Sequence, residues 1–195
     1  DHFGGFGFGV SRSSLAGLPH FKSCAFTAEF PFAGLRFQDA AFPGKVKLTA
    51  FNPFIPSNDK DSSLPAGLFE IEFINTTNKP LTYTAAFSLT NPADRITVNT
   101  QGEYGRVRLV ELNNAFYEPN DPGFGHLCMA TDGADAAVQC AWFRGRWFDS
   151  LGVFWQDFTQ PGHLRPRDYE DCGFQHETAT LTVRRRLNPG EKGTV

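Results

Sequence analysis

Little in this sequence is suited to metal, redox or membrane chemistry. The four cysteines, Cys24, Cys128, Cys140 and Cys172, are scattered along 195 residues. That is too few and too dispersed for a disulfide scaffold, and none forms the C-x-x-C pair of a structural zinc site. Free buried thiols, with no metal and no cofactor, are the expectation. No stretch approaches the roughly 18 apolar residues of a spanning helix, and the opening Asp-His-Phe-Gly-Gly has neither the basic nor the apolar region of a secretory leader. The chain therefore reads as unsecreted and cytoplasmic. Basic residues are outnumbered, 18 Lys and Arg against 21 Asp and Glu, and their only cluster is Arg184-Arg185-Arg186. This leaves no electrostatic footprint for nucleic acid or an anionic bilayer. Tyr and Trp are scarce too, 4 and 3 against 21 Phe, so rings without a hydroxyl fill the interior, as suits the space between two sheets.

What is present is punctuation. The 19 Gly and 13 Pro fall between short apolar runs, which is the spacing of strands and turns. Over 68–75, Phe69, Ile71 and Phe73 alternate with Glu70 and Glu72. Over 81–89, Leu81, Tyr83, Ala85, Phe87 and Leu89 alternate with small or polar residues, so each run offers one apolar face. The polar link 75–80 between them predicts an antiparallel hairpin. Similar runs at 25–37, 45–51, 106–112, 127–131, 136–143 and 176–187 make the expected fold all-β: a single antiparallel two-sheet β-sandwich over residues 1–195. One short helix is predicted over 148–158, where Leu151, Phe154, Trp155 and Phe158 follow helical spacing behind Asp149 or Ser150 as cap.

Candidate chemistry is thin. Gly4-Gly5-Phe6-Gly7-Phe8-Gly9 fits no nucleotide-binding glycine pattern. Asp59, Asp61, Ser63 and Glu70 occupy calcium-loop positions, but Leu64 stands where the sharp turn requires glycine. Glu70 and Glu72 share a strand face and could pose as a glycosidase pair, although like charges on a solvated face are the plainer account. His2, His20, His126, His163 and His176 have no nucleophile at a recognisable elbow. The aromatics Trp142, Phe143, Trp147, Phe148, Phe154, Trp155 and Phe158 read as core before they read as a sugar platform. Cys128 and Cys140 lie symmetrically about Ala134, which predicts a hairpin that sets them side by side as reduced thiols. At the other end, Asn188-Pro189-Gly190-Glu191 turns into a return strand beginning at Thr194-Val195, which suggests a piece of a longer protein.

Residues 51–65 read Phe-Asn-Pro-Phe-Ile-Pro-Ser-Asn-Asp-Lys-Asp-Ser-Ser-Leu-Pro. This run resembles the F-x-P-F-I-P-x-N-x-K-D-S-S-x-P stretch in the N-terminal domain of glycoside hydrolase family 116, which includes non-lysosomal glucosylceramidases and bacterial β-glucosidases. The glycine-rich opening, Glu70, Asn75 and the closing Asn-Pro-Gly-Glu turn are similar as well. Phe6 and Phe8 within the opening glycines depart from the common pattern. The resemblance implies a retaining β-glycosidase in which a β-sandwich precedes a helical barrel holding a Glu nucleophile and an Asp acid/base, neither of which has a counterpart here. The expected role is a non-catalytic accessory domain that packs against that helical domain through Phe51, Phe54, Asn58, Asp59, Lys60 and Asp61. Carbohydrate is the further candidate partner, through an independent binding module, and a structural or oligomerising sandwich is the third reading.

Overall fold

A computed structural model describes residues 17–93, 95–144, 150–167, 169 and 176–195. The glycine-rich opening, His2, Trp147, Phe148, Asp149 and Cys172 lie outside these. In chain order the elements are β1 (Ser23–Glu29), β2 (Phe32–Gln38), β3 (Lys45–Phe51), α1 (Asp59–Ser62), β4 (Leu68–Ile74), β5 (Leu81–Thr90), β6 (Thr97–Tyr104), β7 (Val107–Asn114), β8 (Leu127–Thr131), β9 (Ala136–Gln139), α2 (Ser150–Thr159), β10 (Thr178–Leu187) and β11 (Lys192–Thr194). The fold is all-β, antiparallel and sandwich-like. Its strands are shared among three sheets, ordered β1-β2-β3-β4-β11, β5-β10-β9 and β6-β7-β8. The chain forms two compact units, whose border falls after Ala85 in β5 and after Val183 in β10.

In the unit containing Pro19–Ala85 and Arg184–Val195, period-two patterning builds the five-stranded sheet. Phe37, Val46 and Phe73 stand side by side in register on its inner face. Tyr83 and Leu187 complete this core, flanked by Phe21, Phe42, Ile71 and Leu81. The Tyr83 ring stacks on Phe73 at 5.1 Å, and its hydroxyl donates to the Pro43 carbonyl. Burial raises the Tyr83 pKa.

The predicted 68–89 hairpin does not form. Both edges of β4 are occupied, by β3 and by β11, so β5 joins β10 in another sheet. Alternation reveals an apolar face but not which edge will pair. The expected return strand after Gly190 does exist as β11, paired with β4. The 25–37 run divides into β1 and β2 around Phe30-Pro31.

In the unit containing Ala86–Val183, Val110, Leu112 and Met129 from one sheet meet Val138, Ala179 and Leu181 from the other. The register of β10 is marked by paired hydroxyls, Ser88 with Thr180 at 2.7 Å and Thr90 with Thr178 at 2.8 Å. Helix α2 packs where the sequence placed it. Trp142 stacks on Phe154 at 4.3 Å, donates its indole N–H to Thr180, and shares a core with Leu151 and Leu164. The expected Cys128–Cys140 hairpin is absent: β8 pairs with β7 and β9 with β10, which leaves Cys128 exposed and Cys140 buried. The turn at 131–135 thus crosses between sheets and does not reverse within one.

Candidate functional site

The 51–65 segment leaves β3 at Phe51 and is tied together by its own side chains. Asn52 donates its amide to the Ala66 carbonyl at 2.8 Å, closing the base of the loop. Ile55 and Asn58 form an isolated antiparallel bridge. Asn58 caps the single helical turn α1, its Oδ1 accepting from the Asp61 N–H at 3.1 Å while its Nδ2 donates to Asp61 Oδ2 at 2.7 Å. The Ser62 hydroxyl accepts from the Ile55 N–H at 2.9 Å and donates to the Asn58 carbonyl at 2.6 Å. Ser57 takes φ 64, the left-handed conformation that turns the chain into the cap. The result is a rigid loop that buries none of the α1 residues.

This loop stands at the end of the five-stranded sheet where β1 turns into β2, β3 finishes and β4 begins. Phe32, Phe51 and Leu68 align across three strands there, with Phe32 and Phe51 rings 5.4 Å apart. Phe30 meets Phe54 edge-on at 5.0 Å. Phe30 is 79% exposed, and Phe32, Phe54, Ile55, Leu64 and Leu68 are exposed with it. Strand β11 runs antiparallel to β4 toward this same end, with Val195 paired to Ile71. Of the predicted contact residues, Phe51 and Phe54 thus belong to an apolar patch, Asn58 and Asp61 mainly hold the loop, and Asp59 and Lys60 sit on its outer turn. Phe30 was missed because nothing in its local sequence connects it with Phe54.

The other candidates disperse. Asp59 and Asp61 lie within α1, Asp61 is engaged by Asn58, and Glu70 faces Thr49 across the β3–β4 pair. Among the described residues no three His, Cys, Asp or Glu side chains converge. Glu72 binds Lys192 at 3.2 Å, and His163 lies 3.1 Å from Asp135. Trp142 and Phe154 are core residues. Sequence reading also missed a largely buried polar network in the other unit. Arg144 bonds Glu177 at 3.1 Å and covers the Tyr169 ring at 4.1 Å. Arg167 bonds Asp157 at 2.8 Å, and this bond is the main cause that raises its already high pKa. Partners 33 residues apart leave no local signal.

The chain matches the family described as beta-glucosidase 2, glycosyl-hydrolase family 116 N-term, over residues 8–195. It belongs to glycosyl-hydrolase family 116, as the N-terminal domain. No curated protein is a match for it. The whole of the family-116 loop at 51–65 and the apolar end beside it fall within the matched span.

Proposed function

We propose that this chain is the non-catalytic accessory domain of a β-glucosidase or glucosylceramidase-type enzyme, and that it packs against the helical catalytic domain and shapes the mouth of its active site. The observation that carries this reading is the apolar end of the five-stranded sheet, where the Phe30–Phe54 pair and the row Phe32, Phe51, Leu68 lie beside a pre-bonded loop. Patches of this kind, rimmed by polar groups, are interaction surfaces in soluble proteins. A self-satisfied loop loses little entropy on docking, so its hydrophobic contacts convert more fully into affinity. Phe30 and Phe54 serve as anchors, Asp59 and Lys60 as the polar rim, and Asn58 and Asp61 as the brace.

A sugar-binding module would instead present exposed Trp or Tyr faces beside hydrogen-bonding groups. Here Trp142 is buried, and the exposed rings at this end are all phenylalanine. The test is hydrolysis of an aryl β-glucoside by the chain alone and by the chain mixed with the helical catalytic part of the same enzyme. The reading requires no turnover by the chain alone and a raised rate in the mixture. Turnover by the chain alone that is lost with Glu70→Gln or Glu72→Gln would overturn it.

A further inference from the structure

Asn75-Thr76-Thr77 is the only Asn-x-Ser/Thr acceptor sequence in the chain. Such a sequence ordinarily marks a surface loop open to N-linked glycosylation. Here the acceptor is wholly enclosed, with Asn75 0% exposed.

Every polar group of Asn75 is engaged. Its Nδ2 has two protons: one goes to the Lys79 carbonyl at 2.8 Å and the other to the Leu187 carbonyl at 3.1 Å. Its Oδ1 accepts from the Thr77 N–H at 2.9 Å and lies 2.8 Å from the Thr77 hydroxyl. Its backbone N–H donates to the Glu191 carbonyl, and its own carbonyl accepts from Gly190, both at 2.9 Å. Asn75 thereby fastens the end of β4 to the end of β10 through its side chain and to the turn that leads into β11 through its backbone. The hydroxyl that a transferase would need two residues along, on Thr77, is part of the same knot.

Glycosyl transfer to Asn75 would form a bond from sugar C1 to Nδ2, expel the lipid diphosphate and remove one amide proton. One of the two carbonyls would lose its donor, and a sugar would have to occupy space already filled by the Leu187 strand. Modification and native packing therefore compete for the same nitrogen.

We propose that Asn75 is a modification site closed by folding: the chain reaches its native state only with a free carboxamide at this position, and the native state then withholds that nitrogen from an N-glycosylating transferase. The proposal stands whether or not the domain docks as proposed above.

Two measurements test it. The natively folded protein, purified from a cytoplasmic host, and a peptide spanning Ile71–Leu81 are each incubated with an oligosaccharyl transferase and lipid-linked oligosaccharide, and modification at Asn75 is read by mass spectrometry. The peptide gains the glycan and the folded protein does not. The protein is then directed by a cleavable leader into a eukaryotic secretory pathway, with and without tunicamycin. Molecules carrying a glycan at Asn75 lose the cooperative melting transition, whereas those from tunicamycin-treated cells melt as the cytoplasmic protein does. Peptide-like modification of the folded protein, or an Asn75-glycosylated form with an unchanged melting temperature, overturns the proposal.

Discussion

Asn58 and Ser62 hold the 51–65 loop through bonds that can be removed without touching the core. Asn58→Ala deletes the cap on the Asp61 N–H and the amide bond to the Asp61 carboxylate; loss of such a cap costs about 1 kcal/mol. Ser62→Ala removes the acceptor for the Ile55 N–H and the donor to the Asn58 carbonyl. Water reaches these groups, so the cost stays near the net value of ordinary hydrogen bonds, about 0.5–1.5 kcal/mol. The double variant should therefore open the loop more easily by about 1.5–2.5 kcal/mol, and at roughly tenfold per 1.4 kcal/mol its amides should exchange about ten to sixty times faster. Native-state hydrogen exchange at Ile55, Asp61 and Ser63 reads this directly. Because α1 buries no residue, global unfolding should barely move. Unchanged exchange at these amides, or a loss of global stability as large as a core deletion causes, would refute the view of the loop as a separately braced element.

Leu187, fully enclosed against Val46, Phe73 and Tyr83, should cost about 2–5 kcal/mol when replaced by Ala, seen as a lower urea midpoint at an unchanged slope. Arg144→Ala should lower stability because it takes a charged partner 3.1 Å away from the buried Glu177 carboxylate, and adding Glu177→Leu should recover part of that loss; a second change that only adds to the first would argue against the pair. The Cys128 thiol, on a residue that stays exposed, is held above its ordinary pKa by partial desolvation of its sulfur and then by Glu111 directly across the β7–β8 pair. Removing that charge with Glu111→Gln lowers the pKa and enlarges the thiolate fraction, so iodoacetamide should modify Cys128 faster near pH 8 while the rate at Cys24 stays the same.

Patterns carried by one strand were readable in advance, whereas pairings set by the rest of the chain were not. Lys45–Phe51 and Leu127–Thr131 were predicted with their observed bounds because apolar residues and turn residues delimit them. Thr97–Tyr104 escaped notice, since its side chains are mostly polar and its partner β7 supplies the order. The 68–89 hairpin failed because β11, more than a hundred residues later, takes the edge of β4 that β5 was expected to use. Cys128 and Cys140 failed in the same way, since symmetry about Ala134 says nothing about which sheet each strand joins. The identity of the 51–65 loop was legible residue by residue. Its exposed partner Phe30 was not, because that contact spans separate turns.

The proposed docking through the Phe30–Phe54 end of the sheet is tested most directly by binding of the chain to the catalytic part proposed for its family-116 enzyme, compared with the Phe30→Asp and Phe54→Asp variants. Both side chains are exposed, so each variant should melt like the parent. Burying a charge in place of an anchoring ring should weaken association by tenfold or more, since anchor residues typically contribute about 2 kcal/mol or above. Unchanged affinity in both variants, with their folding intact, would show that the catalytic domain docks elsewhere and would contradict the account.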